Sequence, residues 1–139
     1  MPQASHSLQI QTRGKGLYDF TGEIEKWLEP IRAQTGLLTV FCRHTSASLT
    51  IQENADRDVV ADLKDYFERL VPEDTSLYRH TAEGADDMTS HIRTTLTHTS
   101  LTIPIHAGRL ALGTWQGVYL FEHRWAPHRR SVVLHAIYE

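Results

Sequence analysis

Residues 100–138 read SLTIPIHAGRLALGTWQGVYLFEHRWAPHRRSVVLHAIY. Three stretches of this run are rich in β-branched and aromatic residues: SLTIPI (100–105), LALGTWQGVYLFEHR (110–124) and SVVLHAIY (131–138). HAGR (106–109) marks a turn before the second and WAPH (125–128) one before the third. Connections this short hold no crossover helix, so these strands are expected to be antiparallel. Inside the second stretch, Gly113 and Gly117 interrupt an otherwise good strand and point to a bulge or a close backbone approach.

Upstream, SLQIQT (7–12) alternates, with Leu8 and Ile10 on one face, and LLTVFCR (37–43) is strongly β-forming. HTSASLTIQE (44–53) alternates too. Its polar face carries His44, Ser46, Ser48 and Thr50, and its apolar face Ala47, Leu49 and Ile51. Helical spacing appears in three places. Ile24, Trp27, Leu28 and Ile31 share a face after a Thr21 cap, with a kink at Pro30 and a stop at Gly36. Residues 55–71 place Val59, Leu63, Tyr66, Phe67 and Leu70 together, ahead of Pro72. Residues 87–96 turn Met88, Ile92 and Leu96 inward. The expected architecture is α+β: one domain over 1–139, a largely antiparallel sheet or sandwich with helices packed on part of it.

The chain of 139 residues and 15.9 kDa should expose roughly 7,000 Å² when folded, against about 23,000 Å² extended, which suits one core. Fourteen Lys and Arg against 17 Asp and Glu give a net charge of −3, which argues against a dedicated nucleic-acid binder. The single cysteine, Cys42, excludes an internal disulfide framework and reads as a buried, inert thiol. No stretch reaches the length of a membrane span or a signal peptide, so the expected location is cytoplasmic, with no membrane partner.

Nine histidines are many for this length. His44-Thr45-Ser46-Ala47-Ser48 offers an imidazole and three hydroxyls, equally readable as an oxyanion or metal site and as the polar face of an edge strand. Asp87 and His91 stand at i, i+4, where a carboxylate fixes an imidazole's tautomer, or where an Asp simply caps a helix beside a solvated His. Glu53 and Asp56 precede the long helix, where negative charge is favoured in any case. The Gln116 amide can donate and accept. If the strand is straight, Gln116 and Glu122 are separated by roughly 20 Å, and one site takes both only through a bend at Gly117 or a second subunit. Arg129 and Arg130 have opposite parity, which allows one to face inward as a phosphate clamp; a solvated pair is the commoner outcome.

Three longer strings are recognisable: HTSASLTIQENADRDVVADLKDYFERLVPED (44–74), YRHTAEGADDMTSHI (78–92) and IPIHAGRLALGTWQGVYLFEHR (103–124). They closely resemble the YjbQ-like family, the "secondary thiamine-phosphate synthase" proteins, over nearly the full length and more weakly before residue 36. The resemblance implies a compact α+β fold, a homotrimer with sites near subunit contacts, and weak thiamine-phosphate synthase activity. That reaction joins hydroxymethylpyrimidine diphosphate to thiazole phosphate and releases pyrophosphate. The motifs carry functional interest onto His44, Thr45, Ser46, Glu53, Asp56, His80, Asp86, His91, Gly113, Thr114, Gln116 and Glu122, with Arg129 and Arg130 as the basic pair.

On this reading His91, Glu53, Asp86, Gln116 and Glu122 are catalytic candidates. Thr45, Ser46, Ser48, Thr114 and Arg130 would hold a small phosphorylated or anionic substrate. His44, His80 and His91 would converge on a divalent metal, zinc by the histidines or magnesium by the carboxylates, with Asp86 or Asp87 orienting His91. A metal-dependent hydrolase of another small anion, and a non-catalytic binding module, are the other classes the same residues allow. The chain departs from the family at His98, usually a small residue, and at WAPH, which replaces a Gly-rich connection.

Overall fold

The structure is a computed structural model describing residues 1–139. Eight strands and three α-helices follow one another as β1 (Gln3–Gln11), β2 (Gly16–Asp19), α1 (Thr21–Leu28), β3 (Gly36–Cys42), β4 (Ala47–Glu53), α2 (Arg57–Leu70), α3 (Asp87–Leu96), β5 (Ser100–His106), β6 (Arg109–Leu110), β7 (Gln116–Glu122) and β8 (Arg129–Tyr138). A five-stranded sheet runs β1-β8-β3-β5-β6 and a three-stranded sheet β2-β7-β4. Every pairing is antiparallel, and the fold is α+β, as the short late connections required. No helix is long and apolar enough to cross a membrane.

The two sheets share one core. Alternate residues of β3, β5 and β8 (Leu38 and Val40; Leu101, Ile103 and Ile105; Val132, Leu134 and Ala136) meet Ala47 and Leu49 of β4 and Val118 and Leu120 of β7. Ile24 and Leu28 of α1 join the same cluster. Cys42 is buried in it and unpaired. On the outer side of the three-stranded sheet, Phe121 meets Phe67 of α2 edge-on, with ring centres 5.2 Å apart. The outer side of the five-stranded sheet carries nothing. Three registered rows cross its strands: Gln3, Ile137, Leu37, Pro104; Ser5, His135, Thr39, Thr102; and Ser7, Val133, Phe41, Ser100. None of the twelve is charged.

Several local expectations are corrected. Thr21 begins α1 without capping it; Asp19 accepts from both the Thr21 amide (2.9 Å) and hydroxyl (2.7 Å). The helix does tighten at Pro30 into a 3-10 turn, Glu29–Ile31, but Arg32 ends it in a left-handed conformation (φ 55°), four residues before Gly36. Gly36 instead serves close strand packing, because a Cβ there would lie 2.1 Å from the Ile137 carbonyl oxygen. The segment 111–115 is a connection rather than strand, and Gly117 gives no bulge; a Cβ would crowd Asp19 and Asn54.

The polar face of β4 is only partly open to solvent: Ser48 is fully buried, and His44, Ser46 and Thr50 are half-buried. α3 departs from its apolar pattern, with Met88 and Ile92 only half-buried. Asp87, Thr89, Ser90 and Arg93 point inward, while Leu96 is exposed. A network of ions and hydrogen bonds, not a hydrocarbon surface, receives this helix. Arg93 donates to the Val71 carbonyl (2.8 Å) and to Glu68 (3.2 Å).

Candidate functional site

α3 starts beside the turn that leads out of β7, and three segments converge there. Asp87, in the first turn of α3, is 3% exposed. Its Oδ2 lies 2.5 Å from His80 Nε2 and 3.2 Å from His91 Nε2. Its Oδ1 accepts from an Arg124 guanidinium nitrogen at 2.6 Å. One carboxylate is thus divided: one oxygen is fixed by a cation from the β7–β8 connection, and the other faces two imidazoles. The i, i+4 spacing of Asp87 and His91 brings one pair together. His80 arrives from the loop ahead of α3, which periodicity does not describe. A backbone contact orients His91, whose Nδ1 lies 3.0 Å from the Thr45 carbonyl oxygen. A carbonyl only accepts, so Nδ1 donates to it, and Nε2 is the nitrogen turned toward the Asp87 carboxylate.

Electrostatics sharpen this centre. Burial pushes the Asp87 carboxyl up, but the His80 contact and the Arg124 charge outweigh it and hold the group below the usual carboxylate range. The bond to Asp87 raises His80, against the smaller opposing effect of desolvation. Asp86 is likewise held low: burial raises it, and the Trp125 amide and Arg124 lower it by more. Arg124 was invisible to sequence reasoning. A lone arginine after a strand carries no periodic or motif signal, yet it joins Asp86, Asp87 and the Glu83 carbonyl.

The donor set suits a divalent ion. One ligand atom from each of His80, Asp87 and His91 lies within 4.8 Å of the others, which small rotations bring to the spacing of ligands about 2.0–2.2 Å from zinc. Two imidazoles and one carboxylate, with a backbone carbonyl holding the far nitrogen of one ring, form a recurrent metal-ligand pattern.

The other expected residues divide between this end of the three-stranded sheet and the opposite one. Thr45 and Ser46 line a recess of about 510 Å³ with Phe41, Cys42, Arg43, His44 and Thr99, and Thr45 touches His91. His44 does not join the cluster; its Nε2 accepts from the Ser131 amide at 2.8 Å, and burial lowers its pKa. Ser48 is closed to ligands, bonded to His123 Nε2 (2.8 Å) and Thr97. Glu122 and Arg130 are both buried and pair with each other, Nε to Oε1 at 2.8 Å, with Thr12 donating to the same carboxylate. The inward arginine of the basic pair is therefore already neutralised. Asp86 clamps Arg124 and the Trp125 amide (2.9 Å). Asp56 caps α2, accepting from the Asp58 amide.

Glu53, Thr114 and Gln116 lie at the far end. Gln116 opens β7 opposite Glu53, and Glu122 closes it opposite Ala47, in unbroken register. No bend at Gly117 shortens the roughly 20 Å between them. His98 is exposed on the edge of β4, where its carbonyl accepts from the Leu49 amide at 2.6 Å.

With this geometry established, comparison with known proteins adds the family. The family model described as "UPF0047 protein YjbQ-like" matches residues 6–139. The chain belongs to the UPF0047, YjbQ-like family. A UPF0047 protein of Synechocystis is 56% identical over 133 residues, which cover 96% of this chain and 90% of that protein. The UPF0047 protein YjbQ of Escherichia coli O157:H7 is 45% identical, covering 91% and 92%. Among solved structures, a conserved hypothetical protein of Thermus thermophilus superposes with a TM-score of 0.82 at 34% identity, over 93% of this chain and 97% of that one. A hypothetical protein of Aeropyrum pernix gives 0.84 at 28% identity over the whole of both chains. The YjbQ-like architecture thus accounts for both sheets and all three helices of this chain.

Proposed function

We propose that His80, Asp87 and His91 hold a divalent metal ion, and that this YjbQ-like chain acts there on a small phosphorylated substrate. The thiamine-phosphate synthase reaction is the specific activity that the family resemblance implies. The observation that carries the reading is the position of His91. Its Nδ1–H is spent on the Thr45 carbonyl, while its Nε2 and that of His80 face a single carboxylate oxygen. In the free chain protons hold the two ring nitrogens to this one anionic oxygen, and a divalent cation that displaces those protons takes the same donors. The set leans toward zinc, because magnesium prefers oxygen ligands. Such an ion supplies charge stabilisation for a departing diphosphate. The chain's own part is to orient and bind. Arg124 fixes Asp87, the Thr45 carbonyl fixes His91, and the Thr45 and Ser46 hydroxyls in the adjoining recess are available to phosphate oxygens.

The exposed flank of the centre at His80 favours a second reading, hydrolysis of a small anionic ester, since it leaves room for a water beside the ion. Assembly as a homotrimer belongs to the same proposal and is supported by the three rows without Lys, Arg, Asp or Glu on the outer face of the five-stranded sheet. So does a cytoplasmic location.

Equilibrium dialysis against zinc, with turnover of the two thiamine precursors, tests the reading. Wild-type protein is expected to take up zinc, and His91→Ala to lose both that uptake and about 10²–10⁴-fold in rate. Full zinc uptake and an unchanged rate in His91→Ala would remove the centre. Zinc uptake with ester hydrolysis, and no joining of the precursors, would select the second reading.

A further inference from the structure

The GTWQ segment lies at the wrong end of β7 to serve the histidine centre, yet it borders a cavity of its own. This space, about 1,090 Å³, opens between α1 with its 3-10 turn on one side and residues 108–116 on the other. Its lining is rich in polar groups without partners. Lys26, Arg32 and Arg109 all border it, all are exposed, and their side chains make no ion pair or hydrogen bond. Gln116 turns its Oε1 to the Gly113 amide at 2.7 Å, which leaves its NH₂ free, and the Thr114 hydroxyl is unspent. Leu28, Leu110 and Leu112 supply an apolar floor. Small-molecule sites combine an apolar lining with a few convergent polar groups in this way.

The backbone gives a second observation. Arg32 ends the 3-10 turn at φ 55°, the left-handed conformation that glycine or asparagine normally takes at such a cap. Strain of this kind in a side chain that borders a cavity is characteristic of ligand-holding positions. A guanidinium stands where the fold alone would favour glycine.

We infer that the cavity between α1 and residues 108–116 is a second ligand site, taking the phosphate group of a small phosphorylated molecule on Arg32 and Arg109. Guanidinium groups match phosphate oxygens in pairs, and Thr114 and Gln116 provide neutral donors beside them. Glu25 and Glu29 border the cavity from the same side as Arg32 and favour a ligand whose remainder carries hydrogen-bond donors or positive charge. This second site needs no metal at the histidine centre, which lies some six strand residues away along β7.

Calorimetric titration of chelator-treated protein with inorganic phosphate tests it, because the histidine centre is then metal-free. Wild-type and His91→Ala protein are expected to bind phosphate alike. Arg109→Ala and Arg32→Gly are each expected to bind about tenfold more weakly or worse. Arg32→Gly has a second signature. Glycine relieves the left-handed strain, so this variant is expected to melt at or above the wild-type temperature while losing the ligand. A role confined to folding would move stability the other way. No saturable phosphate binding by the wild type, full binding by both arginine variants, or loss of binding in His91→Ala would each overturn the assignment.

Discussion

His123 is fully buried, with Nε2 bonded to Ser48 and Nδ1 left without a partner. Burial, followed by the charges of Arg93, Arg130 and Lys15, pushes its pKa down to about 3. The unfolded chain takes up this proton near pH 6.5, so between these values the unfolded state binds more protons and stability is lost as the pH is lowered. From pH 7 to pH 5 the loss due to this ring is about 2 kcal/mol. Urea unfolding at the two pH values is expected to show it in the wild type and not in His123→Gln. An equal loss in the variant would place the acid sensitivity elsewhere. The same buried region explains why single residues were hard to read. A serine, a histidine and an arginine in a sequence suggest a site, but Ser48 pairs with His123 and Arg130 with Glu122 inside the molecule. Sequence shows which groups are polar and leaves open whether they meet a ligand or each other.

Elements were more legible, within limits that have physical causes. β1, β3, β5 and β8 each pack one apolar face on the core, and period-two alternation reports that directly. α3 defeated its pattern because its inner face meets the Arg93, Glu68 and Lys15 network and the Asp87 centre. Periodicity locates a helix but ranks its faces only when the partner surface is apolar. Gly36 shows the same limit in β3, where it sits under the backbone of β8. Gly36→Ala is expected to lower stability by about 2 kcal/mol or more through overpacking against main-chain atoms. Gly22→Ala, in α1 with nothing within 4 Å of the new carbon, is expected to raise it by about 0.5 kcal/mol. Chemical denaturation of the two variants checks both signs, and equal effects would refute the packing argument for Gly36.

At the scale of the molecule, accessible surface is the informative quantity. The chain exposes 8186 Å², more than the roughly 7,000 Å² its mass predicts for a compact monomer. Part of the excess is the bare face of the five-stranded sheet, where Leu37, Phe41 and Ile137 are all exposed. Thr39 stands at the centre of that face, between His135 and Thr102. If copies meet there, Thr39→Lys inserts a charge into the contact. Sedimentation velocity is then expected to show a trimer for the wild type and a smaller species for the variant. A monomeric wild type, or an unchanged assembly in the variant, would remove this face from the assembly.

The sequence by itself determined the antiparallel α+β class, most of the strands, the approximate helices and the family, because these rest on local periodicity, turn chemistry and motif strings. Only the tertiary structure decided which histidines meet. His80 and His91 share Asp87 while His44 turns to Ser131, because the 11-residue separation of the first pair and the 87-residue separation of the second are closed by loops and sheet packing. It also parted Gln116 from Glu122, since an unbroken strand holds its two ends at opposite ends of the sheet.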